Sequence, residues 1–166
     1  MELFAVSDLE LITRLTIAVL LGLLIGAERS RVGKRAGMRT YALVSLGACL
    51  FIVMSGVVAT RFAETFVFDP LRVASQVVVG IGFLGAGVIF VQRNELTGLT
   101  TAAGLWVVAA IGASCGYGLY FLAAYVTFLT IFIFEVLWYV EERFIRIAGV
   151  DKEEDAIESI KQNRVA

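Results

Sequence analysis

The chain has 166 residues, of which 59% are hydrophobic and 17% charged, and it carries a net charge of −1. Soluble domains average roughly 45–50% apolar and about 25% charged residues, and the mean hydropathy of +0.86 lies on the apolar side too. There is no histidine, so a Ser-His-Asp triad, an imidazole base and a His-ligated metal are excluded; the expected class is an all-α integral membrane protein and not a soluble enzyme.

Five apolar runs, Leu9–Ala27, Tyr41–Ala59, Val73–Val91, Leu99–Ser114 and Leu119–Val140, approach the ~20 residues that cross a hydrocarbon core of about 30 Å. No basic residue precedes Arg14. A secretory signal opens on a basic region, so the first run reads as a retained span. The first loop holds Arg29, Arg31, Lys34, Arg35 and Arg39, the third Arg93, and the tail Arg143, Arg146, Lys152, Lys161 and Arg164. These are most of the 14 basic residues, and the positive-inside rule then places the N-terminus outside and the C-terminus inside. Residues 1–140 are expected to form the transmembrane domain and 141–166 a short charged cytoplasmic tail. Tyr117 and Tyr120 at one end of the fifth run, with Trp138 and Tyr139 at the other, form interfacial aromatic belts.

Within the first run and loop, Glu28 sits at a span end, where a carboxylate needs a partner; Arg29, Arg39 and Arg93 are the candidates. The basic loop itself lies on anionic lipid. Gly37 and Gly98 precede the second and fourth runs, with Thr40, Thr100 and Thr101 at their starts. The hydroxyls can cap these helices, and the two N-termini can also attract an anion. Cys49 and Cys115 are far apart, with no CxxC or Cys/His cluster, and read as buried, inert thiols.

Asp69-Pro70-Leu71-Arg72 is a helix start: Asp69 caps, Pro70 takes the first helical position, and Arg72 can pair back to Asp69. A carboxylate at a membrane mouth could also coordinate hydrated magnesium. Gly80-Ile81-Gly82-Phe83-Leu84-Gly85 spells a dinucleotide fingerprint but lacks the strand before it and the acid beyond it. Close helix packing explains it better, with Gly82 and Ala86 at i, i+4 and Gly85 and Gly87 thinning the neighbouring faces; Gly22/Gly26 and Gly112/Gly116 repeat the device. Gln76 and Glu135 are polar groups inside spans, and an ionisable group there is a functional candidate. Sliding the chain by 61 positions aligns Asp8 with Asp69, Leu23 with Leu84, Gly26 with Gly87, Gly37 with Gly98 and Thr40 with Thr101. That echo implies a parallel two-helix repeat.

Gly26-Ala27-Glu28-Arg29, Ala36-Gly37-Met38-Arg39-Thr40, Asp69-Pro70-Leu71-Arg72, the glycine run from Gly80 to Gly87, and Gly98-Leu99-Thr100-Thr101-Ala102-Ala103 with Trp106 together resemble the MgtC/SapB family of bacterial inner-membrane proteins. The resemblance implies a helical inner-membrane domain, an association with magnesium limitation and with survival inside host cells, and, in the namesake branch, restraint of the F-type ATP synthase. It carries over Glu28, Arg29, Gly37, Arg39, Thr40, Asp69, Arg72, Gly82, Gly85, Gly87, Thr100, Thr101 and Trp106 as functional candidates. The namesake branch has a C-terminal cytoplasmic domain; this chain, ending at Ala166, is similar to the shorter branch.

Two functions are expected from these features. One is a non-catalytic regulator that binds another membrane complex, such as an F-type ATP synthase, or a second copy of itself. The other is a small transporter or channel for magnesium or an anion. No cofactor, resident metal or nucleic-acid partner is expected besides the lipid bilayer.

Overall fold

The computed structural model describes residues 7–61, 69–92, 95–140 and 143. Five helices are long and apolar enough to cross a membrane. The first, α1, runs Asp8–Arg31: Ser7 caps it by accepting the Glu10 amide at 3.4 Å, with Asp8 and Glu10 in the first turn and Arg29 and Arg31 in the last. Those charges match the helix dipole at both ends. Next comes α2, Met38–Arg61, also 24 residues. At about 1.5 Å per residue, 24 residues reach about 36 Å, enough for a hydrocarbon core with a margin at each end.

Helices α3, Leu71–Val88, and α4, Leu99–Gly116, have 18 residues each. Between them lies an unexpected hairpin, where the sequence reading had extended the third span to Val91. Strand β1, Phe90–Gln92, pairs antiparallel with β2, Glu95–Thr97, in the register Phe90↔Thr97, Val91↔Leu96 and Gln92↔Glu95. Phe, Val and Thr suit a pleated ribbon, and the Thr97 hydroxyl donates to the Phe90 carbonyl at 3.1 Å. The hairpin enters α4 through Gly98, whose φ is +91°; a Cβ there would sit 2.0 Å from the Val88 carbonyl oxygen. Only glycine meets both conditions.

Met1–Thr130 and Ile131–Ala166 form two compact units. In the first, α2 lies against α4 at the centre, α1 packs on both, and α3 packs on α4 and on α2. This pairing is the one that a two-helix repeat produces, with α1 and α3 in equivalent outer places. Depth breaks the symmetry: Gly26 and Thr101 are buried while their partners Gly87 and Thr40 are exposed. The fifth helix, α5, Tyr120–Phe132, buries Ala123, Thr127 and Thr130. In the second unit a π-helical turn spans Ile133–Leu137, with Phe134 buried and Glu135 exposed. The charged tail expected from Glu141 lies outside the described residues apart from Arg143.

The core is built on missing side chains. A Cβ at Gly22 would meet the Tyr41 carbonyl oxygen at 2.8 Å and Ser45 Cβ at 2.9 Å, and one at Gly112 would meet the Ser45 carbonyl oxygen at 2.1 Å. Thus α1, α2 and α4 cross at Ser45 with their backbones nearly touching, the geometry that small residues permit. The Ser45 hydroxyl donates across that crossing to the Ala18 carbonyl at 2.7 Å. The packing expected of the α3 glycines is only partly present. Gly85 is buried with its missing Cβ 3.7 Å from Ala102 Cβ, but Gly80, Gly82 and Gly87 face open space. Side chains are absent there without a neighbouring backbone to use the room. Cys49 and Cys115 are free and buried, as expected.

Candidate functional site

Buried charge in an apolar bundle marks where the sequence has spent stability, and three buried charged residues stand out: Arg14, Glu28 and Arg29. They lie at opposite ends of α1.

At the end that leads into the α1–α2 loop, Arg29 Nε donates to Glu28 Oε2 while Nη2 donates to Oε1 at 2.8 Å. Both side chains are over nine-tenths buried. The pair is a two-pronged fork, the strongest arrangement available to a guanidinium and a carboxylate. Of the three candidate partners for Glu28, the structure selects Arg29. Arg39 is exposed, and Arg93 lies outside the described residues. Tyr41, fully buried on the first turn of α2, stands within electrostatic reach of both charges. Its hydroxyl approaches the Thr101 carbonyl of α4 at 3.5 Å. Glu28, Arg29, Tyr41 and Thr101 therefore gather α1, α2 and α4 at one end.

The cap of α2 was missed in the sequence. Ser30, still on α1, accepts the Met38 amide at 3.2 Å; a Cβ on Gly37 would lie 2.3 Å from the same hydroxyl oxygen. Thr40 is exposed and α4 starts at Gly98 without a side-chain cap, so the expected threonine caps are replaced by Ser30 and by Gly98. The loop is held over the hairpin by Arg35, whose guanidinium lies 4.5 Å from the centre of the Phe90 ring.

At the other end, Arg14 reaches from α1 to α4. Its Nη1 donates to the Gly116 carbonyl at 2.7 Å and its Nη2 to Glu10 Oε1 at 2.6 Å. A cation on the last carbonyls of a helix opposes the negative end of its dipole. In the sequence Arg14 serves only to mark the first basic residue; an arginine seven residues into an apolar helix is the signal that points to this role. Nearby, Asp69 Oδ1 accepts the Leu71 amide at 2.9 Å, so Asp69 caps α3 as expected. The Tyr117 hydroxyl donates to the Pro70 carbonyl and ties α4 to the start of α3. Partial burial, then the negative charge of Asp69, raises the Tyr117 phenol above its ordinary 10.0. Arg72 is exposed, and no ion pair joins it to Asp69 among the described residues.

The candidates differ in depth. Arg39, Thr40, Thr100, Asp69, Arg72, Gly82, Gly87 and Trp106 are exposed; Glu28, Arg29, Gly85 and Thr101 are buried; Gly37 is intermediate. Among the described residues no group of three Cys, Asp or Glu side chains could hold a metal ion. An apolar groove of about 590 Å³ lies between α2 and α3, floored by Ala109 of α4, with Gln76 as its single polar lining side chain.

Five helices long and apolar enough to cross a membrane define a multi-pass helical membrane protein. The chain belongs to the MgtC family, whose sequence model matches residues 15–143. It is 43% identical over 129 residues to the Escherichia coli (strain K12) protein named "Putative magnesium transporter YhiD", covering 76% of this chain and 60% of that one. It is 49% identical over 110 residues to Protein MgtC of Brucella abortus (strain 2308), covering 66% and 44%. With Protein MgtC of Salmonella typhimurium (strain 14028s / SGSC 2262) the identity is 50% over 107 residues, covering 64% and 43%. The matched part thus spans about half the length of these relatives. No solved structure matches the chain.

Proposed function

We propose that the chain is a non-catalytic regulator in the bacterial inner membrane, its N-terminus outside, which acts by associating with another membrane complex under magnesium limitation. The supporting observation is the crossing at Ser45. Backbones meet there at distances that exclude even a methyl group, so α1, α2 and α4 are closed against one another at that level, whereas the outward face of α3 at Gly82 is open for a partner. Both carboxylates that could pass a cation are otherwise engaged, Asp69 in a helix cap and Glu28 in its fork with Arg29. The link to magnesium rests on the family and on the name of the Escherichia coli relative.

Co-purification from native membranes, probed for F-type ATP synthase subunits, tests the association. The expected result is enrichment with the native chain and loss with Gly82→Leu, a substitution with free space around it. Enrichment by both forms, or by neither, refutes this reading. The second reading, a small transporter or channel for magnesium or an anion, draws on the relative's name. Mg²⁺ flux into liposomes carried by the native chain and reduced by Asp69→Asn would replace the first reading with the second.

A further inference from the structure

The α2–α3 groove is apolar along its length and has basic residues at one end. Leu43, Gly47 and Phe51 form its α2 wall at i, i+4 and i+8, one above another on a single face. One step back along that ridge is Arg39, exposed on the first turn of α2. Gly80 and Leu84 continue the α3 wall toward Gly87, which is open. The walls therefore converge on the loop end of the bundle, where Arg35 is held over Phe90 just beyond α3 and Lys34 is exposed.

Chemistry decides what fits. Apart from Gln76 the lining is Leu, Val, Ile, Ala, Phe and Gly, which matches a hydrocarbon chain, and the basic residues at the loop end match an anionic head group.

We propose that the α2–α3 groove seats one acyl chain of an anionic phospholipid whose phosphate is held by Arg39. The guanidinium supplies the planar donor fork that suits phosphate oxygens. The half-buried Gly47 and the exposed Gly80 thin both walls so that the chain lies flush with the bundle. The site is distinct from the partner face at Gly82, which points away from the groove, and it does not depend on the regulatory reading above.

The full chain is purified into nanodiscs of palmitoyl-oleoyl phosphatidylglycerol and phosphatidylcholine in equal amounts, released into detergent, and its retained lipid is measured by mass spectrometry. The native chain is expected to retain phosphatidylglycerol over phosphatidylcholine by about fivefold, the factor that one basic residue contributes beside a phosphate surface. Arg39→Gln should bring the two lipids to parity, Lys34→Gln should leave the preference in place, and Gly47→Leu should lower retention of both. Gly47 has nothing within 4 Å of its missing Cβ, so the added side chain starts in open space, and thermal unfolding of the variant checks its fold. Equal retention by the native chain overturns the proposal. So does an equal loss from Lys34→Gln, which would mean diffuse surface charge, or unchanged retention by Gly47→Leu. A Gly47→Cys chain that cross-links to a second copy in native membranes also overturns it, because a protein would then occupy the groove.

Discussion

Glu28 and Arg29 are neighbours in sequence, and neighbouring side chains leave a helix about 100° apart. Their pairing works because the long arginine folds back along the helix and brings its fork to both carboxylate oxygens. Such a pair returns little net stability, yet removing one member strands the other charge at a cost of about 3–5 kcal/mol. Glu28→Ala is therefore expected to destabilise the protein by that amount, and Glu28→Leu combined with Arg29→Met to recover most of it; unfolding in detergent measures both. Arg14 stands differently, because its loss bares the Gly116 carbonyl and leaves Glu10, a half-exposed carboxylate, without this partner. Arg14→Ala should cost about 1–3 kcal/mol, felt at the Gly116–Tyr117 end, where hydrogen exchange of the last turn of α4 would report it. Tyr117 adds a pH dependence. Its phenol is raised in the folded chain, so the neutral form is favoured on folding. The contribution is complete below the ordinary phenol value of 10.0 and is lost as pH rises through the folded value. Spectrophotometric titration should show Tyr117 ionising after the unfolded chain's tyrosines, with stability at this junction flat through neutral pH and falling only at the alkaline end.

At the scale of helices, equal glycines have unequal consequences. Gly112→Ala would drive a methyl to 2.1 Å from the Ser45 carbonyl oxygen. Neither backbone can yield cheaply, so the loss should reach at least the upper end of the ~1–3 kcal/mol typical of overpacking. Gly82→Ala meets nothing and should gain up to about 1 kcal/mol from helix propensity alone. Thermal unfolding of the two variants side by side checks the contrast. A run of glycines in a span thus has two readings that composition does not separate. Which one applies depends on the face a neighbour covers, and a single sequence does not carry that information. The five spans were legible because length and hydropathy are local properties, and the Asp69 cap because its partner is two residues away. Ser45 was invisible: a serine inside an apolar run looks like any small residue until two other helices arrive. The Ser30 cap spans eight residues and a turn, and the threonines at the helix starts were the nearer but wrong choice.

For the whole molecule, the sequence patterns led to the membrane class and the family, and the relatives bear both out. They did not lead to the way the bundle closes. The centre is a contact of backbones, and the two ends are fastened by charges, one pair local and the other joining residues 102 positions apart. That long reach has a biosynthetic consequence. At roughly 5–20 residues per second, Gly116 is synthesised about 5–20 s after Arg14, so α1 must first meet the bilayer with a guanidinium and no α4 to receive it. Glu10, one helical turn away and already bonded to Arg14 in the finished fold, is the escort available in that interval. It lets α1 enter as a neutralised helix and hand one arm of the arginine to α4 on arrival. Glu10→Ala should therefore reduce the yield of inserted protein more than it reduces the stability of what has folded, a difference that pulse-labelling of membrane-inserted chains can read directly.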